Sequence, residues 1–289
     1  FFMANSRGFR GGYASSRDSL SVAPIGSEPG RRGDDMQRDA WYSSMRSPDD
    51  LAAPEAVGRY AAERALSRLR ARKVATAEVP VLFESTVAAG LIGALVQATS
   101  GGALYRKSTF LLDSLGKEVL APHLDLHEDP HVLRVKGSAP FDDEGVVTRS
   151  RDVVSAGVLQ GYFLSSYSAR KLGMRTTGHA GGSQNLRLAS RLTQSGDDLD
   201  AMLKKLDRGL FVIELMGQGV NPVTGDYSRG AAGFWVEGGR IVHPVHEVTI
   251  AGHLRDMFKG IVAVGADAYA SGAKTTGSIL VERMKLAGS

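Results

Sequence analysis

His123, Asp125 and His127 alternate along H-L-D-L-H, and a strand there sets all three on one face, with His131 close behind. Two imidazoles and a carboxylate form a metal-ligand set. No further donor nearby completes a shell, and the polar outer face of a half-buried strand gives the same alternation. His179 stands alone in a glycine-rich stretch, residues 175–182. A histidine so placed is expected to brace the loop by hydrogen bonds rather than to catalyse. The densest signal is residues 214–244, E-L-M-G-Q-G-V-N-P-V-T-G-D-Y-S-R-G-A-A-G-F-W-V-E-G-G-R-I-V-H-P. Gly217, Gly219, Gly225, Gly230 and Gly233, with Asn221-Pro222, imply unusual backbone angles or a close approach. Two readings stand. One is a tight connection inside a sheet. The other is the lining of a bound peptide or partner chain, recognised through backbone amides. Its candidate residues are Gly217, Gln218, Gly219, Asn221, Asp226, Arg229 and Gly230, with His179.

The elements that must carry these residues are mostly strands. Leu210 to Ile213 has the length and β-branching of a buried strand. Residues 233–237 and 240–242, joined by Gly238-Gly239, read as a β-hairpin. Upstream, residues 19–23 and 40–43 form two strands of one sheet, and the polar residues 27–39 form a mobile loop. Residues 54–73 make the clearest helix: Pro54 and Glu55 suit its start. Val57, Ala61, Ala65 and Leu69, flanked by Ala62 and Leu66, give it an apolar stripe. Its arginines, Arg64 and Arg68 among them, are expected on a solvated face.

A strand at residues 79–83 follows, with Pro80 implying an edge or first position. Ser85 caps a second helix that runs to about Thr99, small-residue-rich, packed on a sheet and ended by Ser100-Gly101-Gly102. Residues 146–154 and 158–164 form a hairpin, residues 168–172 a helical turn, and residues 196–205 a helix with Met202, Leu203 and Leu206 inward. Further strands are expected at residues 248–252, 260–265 and, as the last, 277–281, while residues 284–288 close the chain with alternating apolar residues. The fold class is α+β: a large, mostly antiparallel sheet curled toward a barrel, with a few packed helices.

The chain has 289 residues, 43% of them hydrophobic and 23% charged, the profile of a folded protein with a sizeable core. No apolar run reaches the length of a bilayer span, and no signal-peptide pattern opens the chain. With no cysteine there are no disulfides and no thiolate chemistry, as suits a reducing cytoplasm. The net charge of +4 arises in the first 73 residues, where 13 basic residues face 9 acidic ones. That excess is too dilute for a nucleic-acid stripe. No Walker loop and no strand–G-x-G-x-x-G–helix is present.

The motif at residues 215–241 resembles the signature of the TldD/PmbA peptidase family. N-S-R-G-F at residues 5–9, Y-R-K-S-T-F-L-L-D-S-L-G-K at residues 105–117, P-F-D-D-E-G-V at residues 140–146 and T-G-H-A-G-G at residues 177–182 resemble its PmbA branch, also called TldE. The resemblance implies the end of a truncated N-terminal α+β domain at residues 1–53, a connecting helix and linker at residues 54–78, and a C-terminal PmbA/TldD-type domain at residues 79–289. It implies a zinc peptidase of two related subunits. The TldD-type subunit carries an H-E-x-x-x-H helix and, later, a cysteine ligand. Those positions fall on residues 92–97 here, I-G-A-L-V-Q, and near residues 264–267. This chain is therefore expected to hold no catalytic zinc and no catalytic residue of its own. It would be the non-metal half of a TldD–PmbA heterodimer that cleaves unstructured peptides, including leader peptides of modified bacteriocin precursors, in the cytoplasm. Isolated, it would form a homodimer. Neither nucleic acid nor membrane is an expected partner. The alternatives are a stand-alone binding protein modulating a gyrase–inhibitor system without proteolysis, and an autonomous homodimeric peptidase using His123, Asp125 and His127.

Overall fold

A computed structural model describes residues 1–28, 36–269 and 272–288. Three two-stranded ladders open the chain. They pair β1 (Phe2–Ala4) with β2 (Arg10–Gly12), β3 (Asp18–Val22) with β6 (Trp41–Met45), and, between these, β4 (Ile25–Ser27) with β5 (Met36–Arg38). The β3–β6 pair is the one expected from the sequence. The stretch read as a mobile loop instead pairs at both ends, and residues 29–35 lie outside the described residues.

Helix α1 (Pro54–Ser67) starts with Pro54 in its first turn and buries Val57, Ala61 and Ala65. It stops short of Lys73, because Arg70 takes a φ of 63° that no helix continues through. Leu66, expected on the stripe, is 54% exposed. The solvated arginine face is also corrected. Arg64 and Arg68 retain only 10% and 8% of their side-chain exposure. Arg64 pairs with Asp39 and Glu84, while Arg68 pairs with Glu214 and donates to the Arg38 carbonyl. The Arg64 guanidinium also lies over Trp41, 5.1 Å from the ring centroid. Carboxylates on neighbouring elements decide the direction of these side chains, and sequence periodicity holds no record of them.

The centre of the molecule is a closed ring of five strands. β7 (Ala77–Phe83) pairs with β12 (Gly209–Met216), then β13 (Asp226–Glu237), β14 (Arg240–His253) and β17 (Ile279–Ala287), which returns to β7. Only the β7–β12 pair is parallel. β15 (Ile261–Val264) extends the sheet from β17. Pro80 therefore lies in a central strand, contrary to the edge expectation. It is tolerated because β17 bulges opposite it, between Val281 and Met284, so the missing N–H breaks no regular rung. The strand expected as the last, at residues 277–281, is only the first half of this bulged strand, which runs on through the alternating apolar residues to Ala287, and residues 248–252 belong to the long β14.

Most of a second sheet is inserted between β7 and β12, and its edge strand β16 comes from later in the chain. β8 (Leu124–Glu128), β9 (Arg151–Ser155), β10 (Val158–Leu159), β11 (Leu186–Ser190) and β16 (Lys274–Thr275) run in the order β10-β9-β8-β11-β16. Helices α2 (Ser85–Ala98), α3 (Gly101–Tyr105), α4 (Ser166–Lys171), α5 (Leu199–Leu206) and α6 (Leu254–Lys259) pack around the two sheets. Ser100 does not end a helix so much as cap the next one, accepting from the Ala103 N–H of α3. Along β7 and β12 alternate side chains serve two cores. Val81, Phe83, Leu210 and Val212 join the main cluster with Leu91, Leu95, Leu126 and Ile250. Leu82, Phe211 and Ile213 join Met202, Leu203 and Leu206 of α5. Burial on both faces is why these strands read as unbroken apolar runs.

Candidate functional site

The connection between β12 and β13 is shorter than the glycine spacing suggests. β13 begins at Asp226, so Asp226, Arg229 and Gly230 lie on a strand, and the loop proper is residues 217–225. The loop is closed by its own hydrogen bonds. Asn221 Oδ1 accepts from the Val223 N–H at 2.9 Å, and the Asn221 N–H donates to the Asp226 carbonyl at 2.8 Å. Thr224 Oγ1 donates to Asp226 Oδ2 at 2.6 Å. The Ser228 N–H donates to the Gly219 carbonyl, and a Cβ on Gly219 would overlap the Ser228 carbonyl oxygen. Gly225 has a φ of 90°, and its Cβ would stand 2.9 Å from the His253 ring, whose Nε2 donates to the Thr224 carbonyl. Arg229 reaches back to the carbonyls of Leu215 and Met216, at 3.4 Å each. Gly230 lies against Met216, while Gly217, Gln218 and Asn221 are exposed. Much of this loop's backbone is thus spent inside its own turn, which makes it a pre-formed surface rather than a row of open amides.

His179 is not part of that surface. It lies in the second sheet's core, 7% exposed, where Nε2 donates to Glu128 Oε2 at 2.8 Å and Nδ1 meets Thr177 Oγ1 at 2.8 Å. Glu128 is fully buried. Its Oε2 also accepts from Arg151 Nε at 2.8 Å and its Oε1 from the Gln184 N–H at 2.7 Å. Burial by itself would raise the Glu128 pKa. The His179 hydrogen bond and the charges of His179 and Arg151 outweigh it and hold the carboxyl below its ordinary range. Phe163 closes the cluster, edge-on to His179 and 4.8 Å beneath the Arg151 guanidinium. Sequence reading missed Glu128 and Arg151, yet one signal was present. Leu124, Leu126 and Glu128 share one face of β8, and an acid ending an apolar face needs a buried cation.

The His123–Asp125–His127 row is committed elsewhere. His123 Nε2 donates to the Ile261 carbonyl at 2.8 Å, leaving Nδ1 to accept from Ser190. Asp125 takes a bidentate bond from Arg191, which is the main reason its carboxyl titrates below the ordinary value. His127 bonds Asp152 at 2.8 Å. Among the described residues no group of three or more histidines, cysteines and carboxylates could hold a metal.

The profile described as PmbA/TldA metallopeptidase C-terminal domain matches residues 76–288, and the PmbA/TldA metallopeptidase central domain matches residues 1–69. The chain belongs to the PmbA/TldD metallopeptidase family. Within it, the PmbA (TldE) branch is indicated by 52% identity to the metalloprotease PmbA of Escherichia coli O157:H7 over 98% of this chain. The metalloprotease PmbA homolog of Haemophilus influenzae is 49% identical over 99% of it. The chain spans about 61–62% of the length of these relatives. A crystallised candidate modulator of DNA gyrase from Bacteroides thetaiotaomicron shares the fold with a TM-score of 0.90 at 29% identity, covering 98% of this chain and 63% of that one. TldE from Thermococcus kodakarensis has the same fold, with a TM-score of 0.83 at 22% identity over 99% of this chain and 66% of that one.

The PmbA/TldD family name implies a metal; at residues 92–97, where the family resemblance sets the TldD-type ligands, this chain reads I-G-A-L-V-Q, with no histidine, cysteine or carboxylate. Ile92 is buried on α2 beside Leu91 and Leu95, where these three side chains face Leu120, Leu126, Leu188, Phe258 and Ile261. Gly93 and Gln97 supply no ligand of the usual zinc set. Near residues 264–267, the Val264 carbonyl accepts from Thr193, and Asp267 Oδ1 from the Ser278 N–H and hydroxyl. No helix among the described residues is long and apolar enough to cross a membrane.

Proposed function

We propose that this chain is the non-metal half of a TldD–PmbA metallopeptidase, forming one wall of a chamber that cleaves unstructured peptides in the cytoplasm. Leader peptides of modified bacteriocin precursors fall within that substrate class. The observation that carries the reading is on α2. Where a metallopeptidase needs two histidines and a carboxylate, this chain has Ile92, Gly93 and Gln97, with Ile92 packed in the main core. The zinc then belongs to a TldD-type paralogue. Curated TldD homologs from Buchnera aphidicola and Haemophilus influenzae, 24% and 26% identical to this chain, support a partner of related fold. In that assembly the exposed loop residues Gly217, Gln218, Gly219 and Asn221 face substrate or partner.

The test is co-purification of the full-length protein with its TldD-type partner, with each assayed alone and together on an unfolded peptide. Cleavage is expected only from the pair. Elemental analysis of this subunit alone should read well under one zinc per chain. Stoichiometric zinc retained after mild chelation, or full activity of this subunit alone, would overturn the reading. The stand-alone gyrase-modulator alternative would instead leave the pair without peptidase activity.

A further inference from the structure

An open cleft of about 540 Å³ lies where the opening ladders meet residues 130–140. Its walls include Tyr13, Arg46, Pro130, His131, Leu133 and Arg134, and among the described residues no carboxylate lines it. Arg46 donates to the Lys136 carbonyl at 2.6 Å and the Ser16 carbonyl at 3.3 Å, neutral acceptors that leave its charge uncancelled. Arg17 flanks the same wall and forms no ion pair among the described residues. Arg134 is met by Asp50 at 3.3 Å in a pair open to water, which screens it. The Lys136 ammonium registers the local field: burial, then the charges of Arg17 and Arg46, pull its pKa below the ordinary value. Beside these cations Leu133 is 88% exposed.

We propose that this cleft docks an acidic, apolar stretch of a peptide, its carboxylates facing Arg17, Arg46 and Arg134 and its apolar side chains resting on Pro130 and Leu133. The ligand class rests on the peptidase reading above; the place rests on the charges and the cleft. The volume is that of a small-ligand or short-peptide site. A nucleic acid would instead want a longer basic track with several aromatic faces for stacking, and among the described wall residues Tyr13 alone supplies a Phe, Tyr or Trp ring.

The experiment measures anisotropy of a fluorescein-labelled twelve-residue peptide of alternating Glu and Leu against its Lys-for-Glu counterpart, both added to the full-length protein. The Glu peptide should bind at least tenfold more tightly, with the preference falling steeply as salt is raised. Arg17→Glu, an exposed change, should abolish the preference. Arg46→Gln, which keeps donors for the two carbonyls, should weaken Glu-peptide binding with the thermal transition in place. Equal binding of the two peptides, preference retained in both variants, or displacement by an oligonucleotide at lower concentration than by unlabelled peptide would overturn the assignment. Cleavage of an uncharged unfolded peptide by the heterodimer is read separately. Its absence counts against the peptidase reading and leaves the binding comparison standing.

Discussion

Glu128 is a charge with nowhere to go but its partners. A buried carboxylate survives only when fully bonded, and removing one member of such a group costs about 3–5 kcal/mol. Glu128→Leu should strand Arg151 and His179 and lower the denaturation midpoint accordingly. The sign of the pH effect follows from the lowered pKa. The folded-state carboxyl stays ionised below its unfolded value, so its contribution is whole above about pH 4.3 and is lost as pH falls through the lower folded value. Wild type should therefore lose more stability on acidification than Glu128→Gln, measured by urea unfolding from pH 6 downward. The loop glycines separate in the same way. Gly219→Ala drives a methyl into a carbonyl and should cost more than about 2 kcal/mol. Gly217→Ala meets open space and pays only for its φ of 75°, about 1 kcal/mol.

Helix α1 is fastened to the barrel by Arg64 and Arg68 rather than by its apolar stripe alone. Arg64→Met keeps the stem but leaves Glu84 without its cation and Asp39 with Arg68 alone, at 3.5 Å, and should destabilise by about 2–4 kcal/mol. Glu84 immediately precedes α2, so the same change should loosen that helix's first turn, visible as faster amide exchange at residues 85–88. The elements show where sequence was informative. Leu210 to Ile213, the Gly238-Gly239 hairpin and the inward Met202, Leu203 and Leu206 were legible because each depends on local pattern. Pro80 in a central strand, Arg64 and Arg68 turned inward, and Glu128 held by Arg151 and His179 depend on partners far along the chain. A bulge in β17 or a carboxylate on β12 leaves no mark near the residue it rescues. The candidate loop was found by its glycines, but its division between turn and strand was not, because both states tolerate them.

For the whole molecule, the proposed pairing predicts a large interface, on the order of 2,000 Å² or more in total. Light scattering of the isolated full-length protein should give a homodimer, and adding the TldD-type subunit should convert it to a heterodimer. A persistent monomer that ignores the paralogue would count against the assembly. The ring of strands carries a further consequence. β7 and β12 are parallel neighbours, yet residues 84–208, including most of the second sheet, lie between them. The ring is sealed by β17, at the extreme end of the described chain, which pairs with both β7 and β14. A polypeptide emerging from the ribosome must therefore hold β7 and β14 as unsatisfied edges until β17 is released. Closure over such separations is slow. A nascent chain stalled before residue 279 should thus be a chaperone client and a seed for aggregation.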